Sequence, residues 1–467
     1  HLFGDWFGGD TWANWHVVHK AMFGLPLDDA ELETFTALTG RSEAPGSPAS
    51  EVWLVVGRRG GKDVNSAALA VYLATIGADA YGWRDRLVNG ERGVVQVLAV
   101  DRDQAKIAFR YIAGFFEKPI LKEKVERSTV DTIDLKNGFS IEVATADPRR
   151  VRGRTVVAAI LDEIAFWRSE NTTSPDVDVY RAIKPAMATM PGAMIIGISS
   201  PYARRGLLWQ KYEKNYGKAG NVLVVQAPTW VMNPKVPQSG DFIQEAYESD
   251  PEAARAEYGA QFRSDLEALI GLDAVRACVI EDVRERPPQR QYRYVGFCDP
   301  SGGSADSMTL AIAHKEADTV ILDMMREVKP PFSTEAVTRE YASILKSYRL
   351  SSVQGDRYAG EWVRDAFRKE GIFYEHSERA KSAIYLDLLP LINSRAVDLL
   401  DDERLVRQLV SLERRITRTG RDIIDHPPGL HDDLANAVAG AVTLAAKQAG
   451  YTPANDFRYT FKPRQVV

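Results

Sequence analysis

The chemistry legible in this sequence sits in carboxylates at the ends of apolar runs and in one loop of glycines and basic residues. Val156-Val157-Ala158-Ala159-Ile160-Leu161 is an uninterrupted apolar stretch that ends in two adjacent acids, Asp162 and Glu163. A carboxylate at the end of a buried strand can hold the hydration shell of magnesium, and a second, one residue on, can orient and polarise an attacking water. Asp162 suits the first role and Glu163 the second; the plainer alternative is a strand ending in a solvated acidic turn. Upstream, Glu51–Asp63 reads EVWLVVGRRGGKD, a strand-like run broken by glycines and followed by a lysine. Backbone N–H groups of such a turn, at the start of a helix, cradle phosphate. Gly57, Arg58, Arg59, Gly60, Gly61, Lys62 and Asp63 are therefore the expected nucleotide contacts, with Lys62 supplying charge to the phosphates.

The loop departs from the P-loop consensus at two places. Val56 holds the first glycine position, Gly57 coming one place late, and Asp63 replaces the hydroxyl residue that normally ligates magnesium. Just ahead of the Asp162 strand, Asp147–Arg154 carries the arginines 149, 150, 152 and 154. These form either a solvated basic loop or an arginine finger. Arg152, followed by Gly153, best suits a finger acting in cis or on a neighbour's nucleotide. Met194–Ser199 is a further strand, and in sheets of this class it lies beside the P-loop strand. Ser199 and Ser200 at its end either sense the γ-phosphate or cap a turn.

The second half repeats the pattern of acids at element ends. Asp299 closes Val295-Gly296-Phe297-Cys298, Asp356 follows Val353-Gln354-Gly355, and Asp432-Asp433 open the last helix after His431. If one sheet gathers them, such carboxylates bind two divalent metals, which activate water and stabilise the leaving 3′ oxygen in phosphodiester cleavage. A first-strand aspartate, a later strand acid and a final-helix aspartate make the layout of an RNase H-like nuclease; Asp306 is a further candidate ligand, though it reads better as a loop residue.

These groups need elements to place them. From 51 to 228 strands and helices alternate, which predicts an α/β domain with a parallel, ASCE-type P-loop NTPase sheet. Residues 229–290 read as a helical subdomain and linker. Residues 291–448 read as the nuclease domain: strands at Val295–Cys298, Met308–Ala313, Thr319–Met325 and up to Asp356, then mostly helices. Residues 1–50 are helical and aromatic: a helix from about Thr11 to Phe23 is expected to bury Trp12, Trp15 and Val18/His19 on one face, with Trp15 alternatively a guess at an adenine-stacking side chain, and 449–467 form a flexible basic arm. The chain opens mid-pattern, so its natural start is expected further upstream.

Composition sets bounds. At 467 residues, 45% hydrophobic and 26% charged, the chain has material for two or three globular domains. A net charge of −5 argues against coating nucleic acid by bulk charge. Cys278 and Cys298 are the two cysteines, at no metal-ligand spacing, which fits a reducing cytoplasm. Neither a bilayer-length apolar run nor a secretion signal is present, so no membrane association is expected.

With GRRGGK, AAILDE, ISSP, YGAQFRSD, GFCDPSGG, VQGDR and HDDLANAVA in that order, the chain resembles the large terminase subunit of tailed bacteriophages over nearly its whole length. The resemblance implies an ATP-driven motor that packages double-stranded DNA into proheads and a metal-dependent endonuclease that cuts concatemers. It implies ATP and Mg2+ at Lys62, Asp162, Glu163 and Arg152, with Arg58 the arginine often found four residues before the lysine. At Asp299, Asp356, Asp432 and Asp433 it implies two Mg2+ or Mn2+ ions. The implied partners are the small terminase subunit and the portal, with oligomerisation on the portal, in the cytoplasm of a host carrying the virus or prophage. Two other readings stay open: a helicase-nuclease, and a nuclease with a non-hydrolysing P-loop scaffold, for which Asp63 is the support.

Overall fold

The computed structural model describes residues 3–167, 174–304, 306–356, 361–416, 422–427 and 430–448. It divides into two compact units between Glu267 and Ala268, inside the segment expected to be a linker. The arm at 449–467 lies outside the described residues.

The first unit is built on strands β1 (Glu51–Val56), β2 (Gly93–Ala99), β3 (Val125–Ser128), β4 (Thr132–Leu135), β5 (Phe139–Thr145), β6 (Thr155–Asp162), β7 (Met194–Ser199) and β8 (Val222–Ala227). They lie in the order β3-β4-β5-β2-β6-β7-β1-β8. The six from β5 to β8 are parallel, and β7 does lie between β6 and β1. The sheet is not wholly parallel, however: β3 and β4 add an antiparallel edge to β5. Val125–Ser128 is polar at three of its four residues and largely exposed, so it carries no buried-strand signal.

Every residue of β1 is buried. Because side chains alternate along a strand, Val52, Leu54 and Val56 enter one core and Trp53 and Val55 the other. The first core also takes in Phe7, Trp15, Val18, Met22, Phe35 and Leu38, so the N-terminal helices pack on the sheet.

A short strand β9 (Leu266–Ala268) stands at the division. The second unit carries β10 (Tyr294–Asp299), β11 (Met308–Glu316), β12 (Thr319–Val328), β13 (Ser352–Gly355), β14 (Phe373–His376) and β15 (Val397–Asp398), in the order β14-β13-β10-β11-β12-β15. The meander β10-β11-β12 is antiparallel, while β13 and β14 add parallel to β10. This is the RNase H-like arrangement, and the expectation of mostly helices beyond Asp356 missed β14, β15 and a hairpin, β16 (Glu413–Ile416) with β17 (Asp422–Asp425). Helix Asp433–Ala446 lies on the sheet, where a Cβ at Gly440 would stand 2.2 Å from the Phe297 ring. Only glycine admits that approach, and it brings the helix start to the end of β10. Among the described residues no helix is long and apolar enough to cross a membrane.

Candidate active sites

In the first unit, parallel strands deliver their C-terminal ends to one edge, where ligands of open α/β sheets bind. The turn after β1 uses left-handed backbone at Arg59 (φ 66°) and Gly61 (φ 85°) before helix Lys62–Tyr72 begins. Three carbonyls of this turn are held from outside. Thr229 Oγ1 donates to Arg58 O at 2.7 Å, Asn233 Nδ2 to Arg59 O at 2.9 Å, and Trp15 Nε1 to Gly60 O at 2.8 Å. In a trans peptide the C=O and the following N–H point opposite ways. Pulling the Arg58 and Gly60 carbonyls outward therefore turns the Arg59 and Gly61 N–H groups inward. Trp15 thus serves as an anchor for the loop; it is fully buried, which rules out the adenine-stacking guess.

Lys62 is buried, with its Nζ 3.3 Å from Glu163 Oε1 and 3.0 Å from Ser200 Oγ. Glu163 itself has left-handed backbone (φ 49°), which turns its carboxylate toward β7. There Oε2 accepts from Ser199 Oγ at 3.0 Å and from Ser200 N at 3.3 Å. Ser199 lies beneath Glu163 and Ser200 is the hydroxyl that meets the lysine, a division of labour that strand periodicity does not reveal.

Asp162 is buried, and its Oδ1 accepts no hydrogen bond among the described residues. Burial, then the charges of Glu163 and Asp63, pushes its pKa up to about 8. An orphaned carboxylate oxygen in this position fits a cation. Asp63 and Ser66 line the same small cavity as Asp162. Ser66 went unnoticed in the sequence; it stands three residues after Asp63 on one helical face, with its hydroxyl unpartnered among the described residues.

Two basic residues sit elsewhere. Arg58 is exposed and pairs with Glu257 at 3.0 Å. Arg152 is exposed and lines a separate basic cleft with Arg154 and Arg181, which shares no residue with the Lys62–Glu163 cluster.

The second site gathers residues from four places. Asp299 ends β10 and Asp356 follows β13. Both line a cleft of ≈ 750 Å³ with Asp306, Asp432, Asp433 and Asn436. Asn436, one turn into the last helix, donates Nδ2 to Asp299 Oδ2 at 2.8 Å. Burial, opposed by that bond and then raised further by Asp433, Asp356 and Asp432, lifts the Asp299 pKa to about 7. Asp433 is lifted by burial and by Asp432, against a backbone N–H from Ser307 at 3.2 Å. Carboxylates brought this close together, with Asp299 raised by burial and by its acidic neighbours, are the donor set a divalent cation fits.

The two final-helix acids differ. Both line the cleft, but Asp433 is half-buried whereas Asp432 is buried, accepting from Tyr385 Oη at 2.8 Å and from Lys381 Nζ at 2.8 Å. Asp306 lines the cleft from its loop, 3.6 Å from His431 Nδ1. Lys381 and Tyr385 on one helix, and Asp425 and His426 at the end of β17, were not singled out from sequence because neither segment carries a motif of its own; Asn436 lies within HDDLANAVA but stands three residues beyond its acids.

Comparison with known proteins gives a family match over residues 37–260, to the model described as "Uncharacterized protein MJ0330, N-terminal P-loop domain". No curated protein sequence matches this chain. Among solved structures, the HK97 bacteriophage large terminase is similar at 16% identity over 93% of this chain and all of that one, with a TM-score of 0.38. The Thermus phage P74-26 large terminase ATPase domain is similar at 21% identity over 46% of this chain and 90% of that one (TM-score 0.35). The large terminase nuclease from thermophilic phage G20c is similar at 14% identity over 36% and 95% (TM-score 0.32). The assignment of the two folds stands on the strand orders and registers described above.

Proposed function

We propose that the chain is a DNA-packaging motor of the large terminase type. Its first unit would hydrolyse ATP to move double-stranded DNA into a prohead, and its second would cut concatemeric DNA with metal-dependent endonuclease chemistry. The observation that carries this reading is the presence in one chain of two separate constellations. Lys62, Asp162, Glu163 and Ser200 meet at the parallel edge of one sheet, and Asp299, Asp356 and Asp433 at the end of another.

In the first site the inward N–H groups of the loop and the Lys62 ammonium would take the phosphates of ATP. Glu163, freed from Lys62 as the lysine turns to phosphate, would orient water and accept its proton. Asp162, with Asp63 and Ser66 nearby, would hold Mg2+, whose chemistry is to neutralise charge developing on the phosphates. Ser200 and Ser199 link lysine to glutamate, a short path by which loss of the γ-phosphate would reach β7. Arg152, in its own exposed cleft, would act on a neighbouring subunit's nucleotide when copies assemble on a portal.

In the second site Asp299, Asp356 and Asp433 would hold Mg2+ or Mn2+, which generates a nucleophilic hydroxide and stabilises the leaving oxygen. Asn436 fixes the Asp299 carboxylate, and the Asp433 carboxylate is set by Ser307 N–H. DNA would be held through phosphate contacts, with binding that weakens as salt rises. Sequence choice would then belong to a small terminase partner.

The second unit's mixed sheet is not another nucleotide-binding fold, which disfavours the helicase-nuclease. The orphaned Asp162 oxygen favours a magnesium-binding, hydrolysing loop over a bare scaffold. ATP turnover by the purified chain with and without linear double-stranded DNA tests the motor reading. DNA-stimulated turnover that disappears in Glu163→Gln supports it; turnover indifferent to both contradicts it.

A further inference from the structure

The cleft of the second unit holds more acid than the three carboxylates assigned to metal. Asp425, at the end of β17, His426 and Asp432 each bring one ligand atom to within 4.8 Å of one another. His426 Nδ1 lies 3.0 Å from the carbonyl oxygen of Pro427. A carbonyl has no proton to give, so Nδ1 carries one, and the neutral tautomer of the ring has its lone pair on Nε2, on the other side. That Nε2 is 3.8 Å from Asp425 Oδ1 and 3.8 Å from Asp432 Oδ1. Two carboxylates and an imidazole lone pair, its tautomer fixed by a backbone carbonyl, are by ligand type a divalent-cation site.

A cation already stands there, and the protein supplies it. Lys381 Nζ is 2.9 Å from Asp425 Oδ1 and 2.8 Å from Asp432 Oδ1. Its position is fixed from the backbone outward. Lys381 opens helix Lys381–Asn393, and the next residue, Ser382, accepts from Ile424 N at 3.0 Å and donates to Ile424 O at 3.3 Å. The helix start is thereby tied to β17 directly beside Asp425. One turn on, Tyr385 holds the other oxygen of Asp432.

We propose that Lys381 is the built-in cation of the Asp425/His426/Asp432 subsite and that it confines divalent metal to Asp299, Asp356 and Asp433. An ammonium on a tethered side chain neutralises Asp432 without competing for its neighbour Asp433, as a second divalent ion in the adjoining subsite would. Lys381 is on this account a positioning residue that decides how many metal ions the cleft takes and where.

The proposal rests on the metal-binding reading of the three acids, and a titration of the full chain with Mn2+ alone, followed by electron paramagnetic resonance of the free ion, separates the two. Lys381→Met keeps the length of the side chain and removes its charge. It should bind about one Mn2+ more than wild type, and Asp425→Asn added to it should remove the extra ion. Lys381→Arg should bind as wild type does. Equal stoichiometry in wild type and Lys381→Met, with both binding metal, overturns the Lys381 proposal alone. Metal bound by Lys381→Met and none by wild type keeps Lys381 as the cation of the subsite but overturns the reading of Asp299, Asp356 and Asp433, and with it the confinement of metal to them. No metal in either overturns both. If Lys381→Met does not fold, Asp425→Asn in the wild-type background decides. An unchanged Mn2+ count supports a subsite filled by lysine, and a lost ion shows that Asp425 already ligates metal and overturns it.

Discussion

Cys298 of β10 and Gly355 of β13 are partners across a parallel strand pair, and the residue after each of them is a carboxylate. Neighbouring strands run about 4.8 Å apart, so Asp299 and Asp356 leave the sheet side by side. The last helix, brought close by Gly440 against Phe297, adds Asp433 and Asn436 to the same point. Three distant segments thereby converge through backbone geometry alone.

The crowding of these acids sets a pH dependence for metal. With its folded pKa raised from 3.8 to about 7, Asp299 binds more protons in the folded chain than in the unfolded one between those values. Its contribution to stability therefore falls as pH rises from the unfolded toward the folded pKa. A divalent ion replaces the proton and reverses the loss, so affinity should climb through neutrality. Thermal unfolding with Mg2+ or Mn2+ should show a larger rise in Tm at about pH 8.5 than at about pH 6. An equal rise at both would remove Asp299 from the metal site.

The carbonyl anchors of the phosphate loop make a second prediction. Thr229→Val preserves shape but removes the hydroxyl that Arg58 O accepts from. Loss of that bond should cost about 1 kcal/mol and weaken ATP binding about fivefold, measured by calorimetry. The Tm of the second unit should be unchanged. Unaltered ATP affinity would mean that the outward pull on the carbonyl does not shape the cradle.

On the proposed reading Glu163 acts on water and does not bind nucleotide. Glu163→Gln should lower ATP turnover by about 100-fold or more while nucleotide affinity stays within about threefold of wild type. Retained turnover would transfer the proton-accepting role elsewhere.

Much of this was legible in the sequence because the chemistry sits at strand ends. The runs before Gly57, Glu163, Ser200 and Pro300 are apolar and of strand length and mark the central strands of both sheets; the strand before Asp356 is short and mixed, Ser352–Gly355, and the place of β7 beside β1 follows from the sheet class and not from the runs. What escaped was set by tertiary contacts. Leu269, Ile270, Val275 and Cys278 join the second unit's core, but the stretch is too short and irregular to show a period, so the division at Glu267 was read as part of a linker. The aromatic spacing of the N-terminus announced burial of Trp15 but not that its indole N–H would find Gly60. Lys381, Asp425 and His426 meet only because Ser382 fastens a helix to a hairpin, an arrangement that no local pattern encodes.

The central claim is that one chain holds two independent active sites. Supercoiled-plasmid cleavage with Mn2+ or Mg2+, run beside ATP turnover on the same samples of wild type, Glu163→Gln and Asp299→Ala, tests it most directly. The account predicts that Asp299→Ala loses cleavage and keeps turnover, and that Glu163→Gln does the reverse. Loss of both activities in either variant, or cleavage that survives Asp299→Ala, would contradict it.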